Sequence, residues 1–392
     1  MDVRHHLSRR GFFTGVAAAL GALGLRPTAG LLAQGGTAQF RGSDAEYDAF
    51  AKLASNENNW GPPEAVMKAM TNAWKYANRY GYPDGNIVQA IADHHRVKPE
   101  NILLTAGSSE VLQVVGTTFL QGGKKVLGVD PSYASVYQHA SNIKAEAIKL
   151  PLTKDYRQDI GKLIEAANKH ASELGFVYLC NPNNPTGVVV TAKEVKQLLD
   201  GIPKDMPVLI DEAYHHFVDD PAYGTSVPYV LEGRPVIIAR TFSKIAALAA
   251  MRLGYAVATP EIVQRMRPYS MGSINALVKW GGVASIKDTQ GQADVKAKVV
   301  ALRNKTTREL EAHGYPVIPS QTNFFMVSLD GRNVQPVIEE FRTRGILVGR
   351  PFPPMLQHLR VSVGVPEEMD RFLTAFKEIF PRKTATTMAH EG

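Results

Sequence analysis

From residue 102 onward, short aliphatic and β-branched runs alternate with stretches whose apolar residues recur at helical spacing. Residues 125–129, 145–150, 176–180, 208–211, 236–239 and 253–258 are predicted strands, and 159–173 and 191–199 are predicted amphipathic helices. Alternation of this length predicts an α/β fold, with a mostly parallel sheet covered on both faces. After residue 274 the pattern changes. A long helical stretch runs to residue 313, followed by a strand over 322–328, a helix near 334–344 and strands at 345–348 and 359–363, which together predict a smaller α+β lobe. No internal repeat or low-complexity linker separates the two parts, so close packing is expected, with substrate between them.

Composition narrows the possibilities. The 392 residues suffice for a large core and two lobes. The net charge is +7, but Arg4, Arg9, Arg10 and Arg26 against Asp2 give the first 38 residues +3, leaving only +4 for the rest. No Lys/Arg run with interleaved aromatics is present, which argues against a nucleic-acid partner. Cys180 is the only cysteine, excluding an intrachain disulfide and a cysteine-based metal centre. No i, i+4 histidine pair, phosphate-loop motif, Gly-x-Gly or Gly-x-Ser-x-Gly occurs, so no metal is expected and the common nucleotide and hydrolase signatures are missing.

The N-terminus reads differently. Ser8-Arg9-Arg10-Gly11-Phe12-Phe13 is a twin-arginine pattern, followed by an apolar stretch over 16–25 and small residues over 29–38. This order predicts a removable export signal, a twin-arginine translocase as partner and a periplasmic or secreted location. The apolar stretch is short for a bilayer, so no stable span is expected after processing; a retained anchor is the alternative.

Three motifs follow predicted strands. They are Asn181-Pro182-Asn183-Asn184-Pro185-Thr186-Gly187, Asp211-Glu212-Ala213-Tyr214 and Thr241-Phe242-Ser243-Lys244, with Arg252 eight residues beyond Lys244. Ligands of open α/β sheets collect beyond the carboxyl ends of strands, so all three can meet in one crevice. A lysine with hydroxyls before it and an arginine after it suits an amine that reaches a carbonyl beside an anion. Pyridoxal phosphate (PLP) asks for such a set: a carboxylate at the ring nitrogen, polar groups at the ring hydroxyl, donors for the phosphate and a lysine for the aldehyde. A fourth segment, Thr105-Ala106-Gly107-Ser108-Ser109-Glu110, places Ser108 and Ser109 at a predicted helix N-terminus, where backbone N–H groups and the helix dipole favour an anion.

Together these motifs resemble the class I/II PLP-dependent aminotransferases of fold type I, most closely the histidinol-phosphate aminotransferase-like branch, from about Lys52 to about Phe380. The resemblance implies a Schiff-base role for Lys244, pairing of Asp211 with the pyridine nitrogen, and contact of Asn184 and Tyr214 with the ring oxygen. It implies a phosphate site of Thr241, Ser243 and Arg252, to which Ser108 and Ser109 are added, and stacking of Tyr133 on the ring. Lys244, Asp211 and Tyr214 form the implied catalytic set. Arg360 matches the arginine that binds the substrate's anionic group, with Arg350 a second candidate and Asn184 and Trp60 beside them. Tyr82, or Tyr80, matches a tyrosine that reaches the neighbouring subunit's cofactor, which implies a homodimer. The implied domains are the export region at 1–38, an arm at 39–75 that joins the smaller lobe, a large PLP-binding domain at 76–274 and a small domain at 275–392.

One departure bears on the substrate. Family members acting on histidinol phosphate commonly carry Asn-Glu-Asn-Pro-Tyr-Gly-Pro, whereas this chain has Asn56-Glu57-Asn58-Asn59-Trp60-Gly61-Pro62. Trp60 keeps aromatic bulk and removes a phenol that would help hold a phosphate. The expected reaction is therefore amino transfer between an amino acid, with aromatic or bulky ones among the candidates, and a 2-oxo acid. Histidinol phosphate as donor, another PLP reaction at the α-carbon (decarboxylation, racemisation or oxidation) and an exported non-enzymatic binder are the alternatives.

Overall fold

The computed structural model describes residues 42–383. Its twelve strands are β1 (Ala51–Leu53), β2 (Ile102–Thr105), β3 (Lys125–Asp130), β4 (Ala147–Pro151), β5 (Leu174–Cys180), β6 (Val208–Asp211), β7 (Val236–Thr241), β8 (Gly254–Val257), β9 (Val317–Ile318), β10 (Phe324–Ser328), β11 (Ile346–Val348) and β12 (His358–Ser362). Seven of them form one sheet in the order β2-β8-β7-β6-β5-β3-β4. Only β8 runs against its neighbours. The registers Cys180↔Asp211 and Asp211↔Ala239 set the carboxyl ends of β5, β6 and β7 side by side.

The sheet is buried on both faces because its strands are apolar at successive positions. Val208 and Ile210 belong to one core with Leu163, Val195 and Leu198, while Leu209 joins Val111, Leu112 and Val115 on the other side. Helix Ala192–Gly201 starts at a capping box, in which Thr191 and Glu194 satisfy each other's backbone N–H groups.

Two smaller sheets complete the fold. β10 lies between β12 and β9, antiparallel to both. β1 pairs in parallel with β11, so the N-terminal segment is stitched to the C-terminal third of the chain, and the Lys52 N–H donates to the Glu368 carboxylate at 3.0 Å. Helix Pro366–Ile379 backs this region, with Phe372 against Phe325 and Phe341. No helix of the described residues is long and apolar enough to cross a membrane.

Some boundaries differ from the pattern-based expectation for local reasons. The helical stretch after residue 274 is two helices, Ala276–Lys287 and Thr289–Ala312, broken at Asp288. Asp288 leaves helical geometry (φ −85°, ψ 62°) and its carboxylate accepts the Gly291 N–H at 3.0 Å, acting as N-cap of the second helix. The strand expected from residue 145 starts at Ala147, because the Ala145 N–H is used to close the preceding helix, bonding the Ala140 carbonyl at 2.8 Å. The predicted helix over 159–173 ends at Lys169, and residues 170–173 turn into β5.

Replacing Asp288 with Ala should lower stability by about 1 kcal/mol, the usual cost of losing an N-cap side chain. Asp288→Asn should cost a fraction of that. Urea denaturation of the two variants beside the wild type checks the difference.

Candidate active site

Asp211 ends β6 with its side chain buried, and its carboxylate accepts the Ala213 N–H at 3.1 Å. Burial pushes its pKa up to about 7; the Ala213 bond opposes this, Glu212 adds to it and Lys244 opposes it. Lys244 lies just beyond β7 with its ammonium 5.6 Å from the centre of the Tyr214 ring, and it donates to the Ser55 carbonyl at 3.2 Å. Burial lowers its pKa to about 8, helped by the positive charge of Arg360. A carboxyl that resists losing its proton thus lies near an amine that gives one up easily.

The Tyr214 hydroxyl accepts from Asn56 Nδ2 at 3.0 Å and from Asn184 Nδ2 at 3.4 Å. Asn184 Oδ1 in turn accepts from Arg360 Nη1 at 2.8 Å, and Arg360 Nη2 donates to the Ala54 carbonyl at 2.6 Å. Arg360 is buried on β12, and its Nε has no partner. Its guanidinium lies 4.5 Å from the centre of the Phe352 ring, and Arg350 lies 4.4 Å from the same ring. Burial lowers the Arg360 pKa to about 10.

A second cluster adjoins the first. Gly107, at φ +88°, precedes helix Ser108–Phe119 and is its N-cap, so both serines lie inside the first turn. Only a residue without a side chain fits there: a Cβ on Gly107 would lie 2.1 Å from Arg252 Nη2. Arg252 donates to Ser243 Oγ at 3.2 Å and to the Ala106 carbonyl at 3.3 Å. Thr241 Oγ1 bonds Ser243 Oγ at 2.9 Å, and Tyr133 hydrogen-bonds Ser109. Hydroxyls, a guanidinium and a helix N-terminus thus surround one spot.

The chain therefore gathers Lys244, Tyr214, Asn184 and Arg360 in one set of contacts and Thr241, Ser243 and Arg252 in another, with Tyr133 bonded to Ser109, and Asp211 close enough to Lys244 and Tyr133 to be felt electrostatically. Arg350 joins them through the Phe352 ring that it shares with Arg360. Trp60 is half-buried against the main core, with its backbone N–H on Asn58 Oδ1 at 3.2 Å. Tyr80 and Tyr82 are exposed. Sequence reasoning missed Asn56, the Ala54 and Ser55 carbonyls and Phe352. Asn56 sits at φ +54°, which asparagine tolerates, and Ser362 and Asn323 hold it there.

Residues 49–376 match the model for aminotransferase class I and II. The chain belongs to that family. The histidinol-phosphate aminotransferase of Moorella thermoacetica is 34% identical over 340 residues, covering 84% of this chain and 85% of that protein. The enzyme of the same name from Anaeromyxobacter is 33% identical, over 84% and 90% of the two chains. A histidinol-phosphate aminotransferase structure from Sinorhizobium meliloti, in complex with pyridoxal-5'-phosphate, superposes with a TM-score of 0.79 at 25% identity, over 90% of this chain and 97% of that one.

This aminotransferase is PLP-dependent, and its own residues fit the cofactor. Asp211, buried and bonded to one backbone N–H, suits a cationic ring nitrogen. The crowding of Arg252 over Gly107, with Thr241, Ser243 and the serine-opened helix beside it, suits a phosphate dianion.

Lys244 makes a stability prediction with a definite sign. Its folded pKa of about 8 lies below the ordinary 10.5, so the fold disfavours the charged amine. The resulting cost is fully present below pH 8 and disappears as pH rises through 10.5. Cofactor-free Lys244→Met should therefore be more stable than cofactor-free wild type at pH 7, by up to about 3 kcal/mol, with the gap narrowing toward pH 10. Thermal melts at the two pH values check this.

Proposed function

We propose that this aminotransferase takes an α-amino acid as donor and a 2-oxo acid as acceptor, with Lys244 as the proton-carrying base. The observation that carries this reading is geometric: the buried Arg360, with an unpartnered Nε, is tied through Asn184 to Tyr214, over whose ring the Lys244 amine lies. Bound PLP supplies a protonated ring that takes up the electron pair left at the substrate's α-carbon. Asp211 holds the proton on the ring nitrogen. Tyr214 and Asn184 orient the ring oxygen, and Tyr133 covers the ring. Thr241, Ser243, Arg252, Ser108 and Ser109 hold the phosphate. Lys244 Nζ, neutral in an appreciable fraction near pH 7, takes the proton from the α-carbon and returns it on the cofactor side. Arg360 offers a planar fork to the substrate carboxylate, which would satisfy its orphaned Nε.

A phosphorylated amino alcohol is the second reading, favoured by the curated relatives and by the two guanidiniums that share Phe352. Trp60, in place of the phenol, weighs against it. Kinetics separate the two. Arg360→Ala should lower kcat/KM for the preferred donor by roughly 2–3 kcal/mol, the loss of a charged hydrogen-bonded pair. Arg350→Ala should leave an amino-acid donor nearly unaffected and impair histidinol phosphate. A wild-type kcat/KM for histidinol phosphate above that for every amino acid tested would overturn the amino-acid reading. Borohydride trapping of the cofactor on a lysine other than Lys244 would overturn the base assignment.

The proposal extends to assembly and location. Trp74, Tyr80, Tyr82 and Met271 are large apolar side chains left exposed, which supports a homodimer with Tyr82 reaching the partner's phosphate site. Sedimentation should show a dimer, and Tyr82→Phe should weaken PLP retention; a fully active monomer would refute this. Export rests on the twin-arginine pattern at Ser8 to Phe13, which lies outside the described residues. An intact signal on the mature protein from osmotically released fractions, or its absence from those fractions, would count against it.

A further inference from the structure

Side chains alternate across a strand, so the neighbours of Asp211 and Thr241 point to the opposite face of the sheet. There they build a second polar group. Glu212 follows Asp211 and is 0% exposed; Arg240 precedes Thr241 and is 3% exposed. Arg240 Nε donates to Glu212 Oε2 at 3.0 Å, and Nη2 makes a second, closer contact with the same oxygen. Nη2 also donates to Thr225 Oγ1 at 2.8 Å and Nη1 to His215 Nε2 at 2.6 Å, so every arm of the guanidinium is held. Glu212 Oε1 accepts the Ser226 N–H at 2.7 Å, and Tyr255, the cross-strand partner of Arg240, bonds His95 at 2.8 Å.

A buried ion pair is weak evidence for stability, since apolar residues of similar volume often serve as well. What such a pair supplies is direction. The Glu212 N–H bonds the Ala239 carbonyl at 3.0 Å, a rung that closes the β6–β7 ladder. Past it the chains part: Glu212 leads to the turn His215–Phe217, while the Phe242 N–H bonds the Leu253 carbonyl across to the other neighbour at 3.0 Å. The Arg240–Glu212 fork spans the two strand ends where they separate, one residue from Asp211 on one side and one from Thr241 on the other.

We propose that Arg240 and Glu212, anchored by His215 and Thr225, are positioning residues that fix the Asp211 carboxylate relative to the Thr241–Ser243–Arg252 cluster. One rigid ligand is then gripped at its ring and at its phosphate together. The inference rests on the reading of Asp211 and Thr241 as cofactor-holding residues. Its signature is cooperation between the two grips: the phosphate adds affinity only when the ring is correctly placed.

The test compares PLP with pyridoxal, which has no phosphate, on purified cofactor-free protein. Arg240→Met/Glu212→Leu removes both charges and leaves neither orphaned; Arg240→Lys keeps the charge and loses the fork. Thermal midpoints report folding, and absorbance titrations report both dissociation constants. The affinity gained from the phosphate should fall by about tenfold or more in either variant while cofactor-free melting changes little. Thr225→Val, which removes one anchor without stranding a charge, should show the same contrast at about threefold and covers the case in which the other variants do not fold. A folded variant that keeps the wild-type ratio of PLP to pyridoxal affinity overturns the proposal, whatever its melting temperature. Failure of the underlying reading looks different: the wild type itself would gain no affinity from the phosphate.

Discussion

The arrangement of the site follows from keeping two ionisable groups out of water where three parallel strands end. Dehydration works against charge on both, so Asp211 holds its proton longer than a surface carboxyl and Lys244 releases its proton sooner than a surface amine. A solvated crevice would return each to its ordinary value. The dryness comes from the surroundings: β5, β6 and β7 are buried along their whole length, and the small sheet lays Phe324 edge-on against Tyr214. The price is a cofactor-free state that stores unfavourable charge, which a cationic ring and an anionic tail can relieve.

That crevice is closed by residues far apart in the chain. The segment just after β1 supplies the Ala54 carbonyl to Arg360, the Ser55 carbonyl to Lys244 and the Asn56 amide to Tyr214. β12 supplies Arg360 to Asn184. Each of these bonds joins distant parts of the chain, early segment to late strand or either of them to the ends of the large sheet, so Arg360 and Lys244 are referenced to the same short stretch of backbone.

Much of this was legible in the sequence, and the reason is local. Asp211, Asn184, Thr241, Ser243 and Lys244 stand at or just past strand ends, so a run of apolar residues followed by a polar motif marks them without knowledge of the fold. Ser108 and Ser109 were legible through the helix they open, although the cap itself is Gly107. Residues whose roles depend on distant partners carried no such mark. Phe352 matters because two arginines close on it, Arg240 because Glu212 lies on the neighbouring strand, and Asn56 because Ser362 and Asn323 hold its backbone. The break at Asp288 was missed because helical patterns flank it on both sides without a proline between them, and the Asp288 carboxylate's bond to the Gly291 N–H opens the second helix there. The export pattern stands apart, since it lies outside the described residues.

The pairing of β1 with β11 also sets a limit on how the N-terminus can be processed. Ala51 to Leu53 hold a place in a sheet, and the three residues that follow touch the lysine, the arginine and the tyrosine of the site. A cut ahead of the helix Asp44–Ala49 leaves these contacts intact, whereas one a dozen residues further on removes part of the site. Only residues 44–50 separate a harmless cut from one that enters β1, about two turns of helix in length. Fusion partners and affinity tags therefore belong upstream of Ser43, and a protease nick within 50–56 would inactivate the enzyme without disturbing the large sheet.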